Sequence, residues 1–235
     1  MGIALFAIIL MAFMLAQFAV LVTGVAAIDP AFAGKGFTLS LLQDEAFQAS
    51  MERHLLNGDL VAREALWSGL VGLGLILLTV FLWKRAQAAD FLGLRLPNAR
   101  RFLIWFGIFL LLAAALEVLM RSVPAFQTDF MEKVLGSTTN RTLLVIGVGI
   151  MAPLFEEFLL RGLLFGTVRH IENEHIAVAS TAGVFTIMHL QYEVLVMLLI
   201  LPLGLVLGYA RARTGSIWVP IFLHVLNNLA SVLLN

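Results

Sequence analysis

Residues 3–27 read IALFAIILMAFMLAQFAVLVTGVAA, about 25 residues without a charge, and that run constrains the fold more than any other stretch. A membrane-crossing helix needs about 20 apolar residues, and in hydrocarbon only helices and closed barrels satisfy every backbone N–H and C=O. Further apolar runs follow at about 66–83, 102–120, 142–165, 176–190, 194–210 and 217–234, with short connections. The expected fold is all-α, a polytopic transmembrane helical bundle of about seven spans. With 61% hydrophobic and only 13% charged residues in 235, the chain does not read as a soluble domain.

Composition excludes several functions. A formal net charge of zero without a basic cluster gives no footprint for nucleic acid, so the bilayer is the expected environment. The absence of Cys rules out disulfides, thiolate metal ligands and a Cys nucleophile. The first run lacks a basic lead and is longer than a signal-peptide core, so it is expected to be retained although Ala31-Phe32-Ala33 resembles a cleavage site. Phe6 stands where myristoylation wants Ser or Thr.

Residues 28–66 mix Asp44, Glu45, Glu52, Asp59 and Glu64 with Arg53, His54 and Arg63, around Leu41, Phe47, Met51 and Leu55 at helical spacing. This predicts amphipathic helices on the membrane surface, with His54 solvated. Residues 1–141 are then N-terminal helices and surface segment, and 142–235 core helices of one integral-membrane domain. Lys84, Arg85, Arg95, Arg100, Arg101, Arg169, Arg211 and Arg213 all fall on one side of the bilayer if the N-terminus is inside.

Within the fourth run stands Ala152-Pro153-Leu154-Phe155-Glu156-Glu157-Phe158-Leu159-Leu160-Arg161-Gly162. Each charge at mid-membrane costs about 2.5–3.5 kcal/mol on insertion scales, so such groups face a bundle interior or a wet cavity. Residues four apart share a helix face, so Glu157 can neutralise Arg161. Glu156 has only Leu159 and Leu160 at those spacings. It is left for chemistry or for a partner on another helix. Pro153 donates no hydrogen bond and is expected to kink the helix just before the carboxylates, where irregular backbone implies a cavity wall.

Later runs add Phe185 and His189 four apart, then His224 and Asn228 four apart. A single intramembrane His is often a packing residue, and Asn227 points to another face. Two His, an acid and an Asn on three apolar helices must converge to be satisfied. Glu156 would take a proton from water and His189 orient it. His224 and Asn228 would donate to an oxygen becoming anionic. Glu156, His189 and His224 would also suit Zn²⁺ with an open position, but HExxH spacing is absent and Asn is an uncommon zinc ligand, so a metal-free site is favoured. His170, Glu172, Glu174 and His175 read as a solvated turn. His189 lies at the far end of a run of about 15 residues. To meet Glu156, that helix must extend past Gln191-Tyr192-Glu193 or be short and recessed.

The order Glu156-Glu157-x-x-x-Arg161, Phe185-x-x-x-His189 and His224-x-x-x-Asn228 resembles the CPBP family of intramembrane proteases, the Abi or CAAX-protease type II family, across 142–235. That resemblance implies a multi-pass bundle around an intramembrane cavity. It implies Glu156 and His189 as activators of water, His224 and Asn228 as oxyanion donors, and Glu157 and Arg161 as organisers of the site or substrate contacts. Phe185 enters as part of the motif. Eukaryotic relatives trim prenylated CAAX proteins, and prokaryotic ones serve peptide maturation or bacteriocin immunity. The expectation is a glutamate-dependent endopeptidase of a prokaryotic plasma membrane, acting on a membrane-associated substrate with or without a lipid. A proton-coupled transporter or channel, and a non-catalytic peptide-binding protein, are the competing readings.

Overall fold

A computed structural model describes residues 1–35 and 38–234; Gly36 and Phe37, within the segment 28–66, and Asn235, at the end of the segment 142–235, fall outside the described residues. The described residues form helices and turns with no strand. In order these are α1 (Gly2–Ile28), α2 (Leu39–Gln43), α3 (Glu45–His54), α4 (Gly58–Lys84), α5 (Ala88–Leu92), α6 (Ala99–Ser122) and α7 (Phe130–Gly136). There follow α8 (Arg141–Ile171), α9 (Glu174–Ile187), α10 (Val194–Thr214) and α11 (Trp218–Leu233).

Asparagine sets many of the starts. Asn57, Asn98, Asn140 and Asn173 each accept a backbone N–H of the first turn of α4, α6, α8 and α9, at 3.0–3.1 Å to Leu60, Arg100, Leu143 and Ile176. An N-cap of this kind satisfies donors the helix leaves orphaned. Asn57 explains one correction. The fourth helix begins at Gly58 rather than near 66, so Asp59, Arg63 and Glu64 belong to a membrane helix and not to the surface segment. The remainder of that segment, α2 and α3, packs onto the ends of α1 and α4, burying Phe32, Leu41 and Phe47 with Val22, Val25 and Leu60.

Five helices are long and apolar enough to cross a membrane: α1, α4 with its continuation to Leu92, α6, α8 and α10. The other two expected spans are shorter. With 14 and 16 residues, α9 and α11 reach roughly 21 and 24 Å at 1.5 Å per residue, against a hydrocarbon core of about 30 Å. Among the described residues the protein is thus a helical membrane bundle of five long apolar helices, completed by the shorter α9 and α11.

The centre of the bundle is α8. Half of its most apolar window is buried inside the protein, against 6% for the peripheral α6. On one side α4 approaches closely through glycines, with Gly69 against Met151 and Gly72 against the Phe155 ring. Phe13 of α1 stacks on that ring at 4.1 Å. Small residues permit such approaches where no hydrophobic force drives helices together in lipid. On the other side α9 and α10 pack through Gly204 against Phe185 and Ala182, and Gly208 against Val178. From the C-terminal end α11 inserts Ile217 and Ile221 among Leu159, Leu163, Ile9 and Ile76, so residues before and after 141 share one core.

Candidate active site

The polar centre is built on α8, which departs from α-helical register twice. Val145–Met151 and Phe158–Leu164 are π-helical, flanking the α-helical turn Ala152–Glu157. Wide turns of this kind are rare and concentrate at functional sites. Pro153, expected to kink the helix, sits in the first turn of the α-helical piece, directly after a stretch where Ala152 N–H reaches back five residues to Gly147 O. In that register the proline N–H would serve the Val148 carbonyl. Proline has none, and Asn228 Nδ2 of α11 donates to that carbonyl instead, at 3.0 Å.

The two adjacent glutamates separate as their spacing requires. Glu157 and Arg161 are wholly buried and paired, with Arg161 Nη1 donating to Glu157 Oε1 at 2.9 Å. Arg161 Nη2 donates to the Gly204 carbonyl at 2.9 Å, and its guanidinium lies over the Phe185 ring at 4.8 Å. A Cβ at Gly204 would stand 3.1 Å from that ring and 3.2 Å from Ala182 Cα, so glycine lets α10 bring its backbone to the arginine. His224 Nδ1 lies 2.9 Å from the same Glu157 oxygen. An ionised carboxylate only accepts, so the imidazole donates from Nδ1 and presents Nε2 to whatever lies beyond.

What lies beyond is Glu156. Its Oε2 is 3.9 Å from His224 Nε2, and the side chain keeps 16% exposure where Glu157 keeps none. Oε2 is buried without a hydrogen-bond partner among the described residues. A separation of 3.9 Å is too long for a direct hydrogen bond. The gap suits a group carrying O–H or N–H. Glu157 Oε2 and Arg161 Nε are likewise buried without partners, so the ion pair leaves part of its own bonding capacity unused.

The fifth apolar run forms a short helix: α9 ends at Ile187, and His189, four residues after Phe185, lies in the turn that follows. Its Nδ1 donates to the Phe185 carbonyl at 2.7 Å, which leaves Nε2 as a free lone pair in the neutral ring. The rings of His189 and His224 stand on the same Phe185, 4.7 and 5.2 Å from it. The structure therefore brings Glu156, Glu157, Arg161 and His224 together, with His189 joined to them through the Phe185 ring. Asn228 stands one turn along α11 with one amide hydrogen already given to Val148.

Two residues of the site carry no signal in spacing. Arg211, read above among the basic residues of a connection, is only 6% exposed in the last turn of α10. Its Nε donates to the Arg161 carbonyl at 3.1 Å, within the second π-helical stretch. Tyr192 follows His189 by three residues and lies parallel to it, 14° between planes and 6.3 Å between centroids. Burial, with the Glu156 carboxylate adding to it, pushes the Tyr192 phenol up to about 12. Its hydroxyl thus stays protonated through the neutral range.

A metal fares poorly here. Among the described residues no three His, Asp or Glu side chains are grouped to hold an ion, so Glu156, His189 and His224 do not form a ligand set. In the second cluster, Glu174 pairs with Arg213 at 2.7 Å and His175 Nδ1 lies 2.9 Å from the Tyr209 hydroxyl, partners enough for a solvated turn.

Fold and centre together define a class: an integral membrane protein with a carboxylate–imidazole–guanidinium cluster buried between its later helices. Residues 138–230 match the family model described as type II CAAX prenyl endopeptidase Rce1-like. A stretch of 86 residues is 34% identical to the "Putative membrane peptidase YdiL" of Bacillus subtilis, covering 37% of this chain. The match spans about a third of that relative, 34% of its length. No solved structure matches the chain at a significant level.

Proposed function

We propose that the protein is an intramembrane endopeptidase that hydrolyses a peptide bond in a membrane-associated, prenylated or otherwise apolar polypeptide, with Glu156 as the base. One observation carries this reading: the buried, unpartnered Oε2 of Glu156 faces a His224 whose other nitrogen is held by Glu157. Water between them donates a proton to Glu156 as its oxygen attacks the carbonyl carbon. Glu156 then passes that proton to the departing amine, so its carboxylate is regenerated as the C–N bond breaks. His189 orients the water through its free Nε2. His224 and the second amide hydrogen of Asn228 donate to the carbonyl oxygen as it becomes anionic. The likeness to a family named for CAAX prenyl endopeptidases, and to a relative named as a membrane peptidase, supports the same class of substrate.

The test uses purified protein in detergent and an internally quenched peptide ending in a farnesylated CAAX sequence. Glu156→Gln should lower turnover by about 10²–10⁴-fold, the usual range for a general base. Unchanged cleavage by this variant overturns the assignment.

The basic residues support an orientation with the N-terminus on the cytoplasmic side of a prokaryotic plasma membrane, because Arg85, Arg100 and Arg213 then share that side. The chain has no cysteine, so Arg100→Cys and Lys133→Cys each report a single site. In intact cells an impermeant maleimide should label Cys at 133 and not at 100; the reverse pattern inverts the topology.

A further inference from the structure

His189 lies in a turn, so no helical repeat holds its ring in place. Its one side-chain hydrogen bond, Nδ1 to the Phe185 carbonyl, pins a single atom. A ring pinned at one atom still swings unless its neighbours confine it. Phe185 meets it edge-on, at 4.7 Å and 61°. Tyr192 lies parallel and offset to it, 6.3 Å between centroids, and Tyr192 is backed in turn by Phe130 of α7, edge-on at 5.0 Å. The turn itself is closed by Tyr192 N–H to the His189 carbonyl at 3.1 Å, so the two rings travel together. Aromatic pairs of this kind hold preferred edge-on or offset-parallel geometries, so together they select one orientation of the ring.

We propose that Tyr192 is a positioning residue of the Glu156–His189–His224 site, its ring, backed by Phe130, clamping the His189 imidazole against Phe185. The inference rests on the endopeptidase reading for its effect on turnover, but not for its effect on His189. The ring carries the role and the hydroxyl does not. Through Phe130 the helix α7 thereby supports the site.

The experiment compares Tyr192→Leu with Tyr192→Phe in full-length protein, labelled with 15N-histidine in detergent micelles, with His189→Gln used to assign the signal. Wild type and Tyr192→Phe should show one His189 tautomer, protonated at Nδ1, whereas Tyr192→Leu should show an averaged or split signal. With the farnesylated peptide, Tyr192→Leu should lose about ten- to a hundredfold in kcat, the scale of an ångström of misplacement, with KM within about threefold. Tyr192→Phe should restore kcat to within about threefold of wild type. Phe130→Leu should give the same change in smaller measure, and it replaces Tyr192→Leu if that variant does not fold. A wild-type His189 signal in the Leu variant overturns the proposal, and so does a Phe variant as defective as the Leu one. If the wild-type protein does not cleave the farnesylated peptide, the endopeptidase reading falls by itself, and the histidine spectra alone decide the role of Tyr192.

Discussion

The two halves of the polar centre differ more than their one-residue offset suggests. In one half Glu157, Arg161 and His224 are buried and tied to each other, and Arg161 reaches on to the Gly204 backbone of α10. In the other half Glu156 retains exposure and an unpartnered oxygen, and His189 keeps a free nitrogen in a turn held by ring contacts. A membrane protein can bury charge when the charges satisfy one another, and what they do not satisfy is available for substrate. The closed half fixes where three helices meet. The open half has the free valences.

The largest expected effect separates the halves by stability. Arg161→Met strands Glu157 and the His224 contact in a dry core, and breaking a buried pair from one side costs about 3–5 kcal/mol. Glu156→Gln, nearly isosteric and already without a partner at Oε2, should leave stability within about 1 kcal/mol, the ordinary scale away from buried networks. Thermal unfolding in detergent, followed by fluorescence of the four tryptophans, measures both. If Glu156→Gln destabilises as much as Arg161→Met, the two halves are one structural network and the division fails.

How far this division was legible in the sequence depends on the range of the interaction. Glu157–Arg161 and the isolation of Glu156 follow from four-residue spacing, and the structure has both. The multi-helix membrane fold follows from apolar run lengths alone. The start of α4 was misplaced because Asp59, Arg63 and Glu64 read as surface polarity, whereas the Asn57 cap and Gly58 put them in the helix. Arg211 was misplaced because an arginine near a run's end looks the same whether it meets water or a carbonyl freed by a π-helical turn. The link from Glu157 to His224 spans 67 residues. It has no local signature, and neither has the ring contact from Phe130 to Tyr192.

Asn228 stands between the halves and allows the finest test. Its amide serves the Val148 carbonyl, which Pro153 leaves without a donor five residues on. Taken alone, Asn228→Ala should cost about 1–3 kcal/mol, the scale of a buried carbonyl left unsatisfied. In a Pro153→Ala background the backbone N–H returns and can take that carbonyl. The same Asn228→Ala change should then cost about 1 kcal/mol less, a coupling within the range seen for residues of one network. Unfolding midpoints of the four proteins in the cycle give the coupling directly. A coupling near zero would mean that the amide is not there to compensate the proline, and would move Asn228 wholly to the open half. Turnover sharpens the result. If Asn228→Ala in the Pro153→Ala background regains stability but not cleavage of the farnesylated peptide, the same side chain acts twice, with one amide hydrogen holding the helix and the other facing the substrate carbonyl.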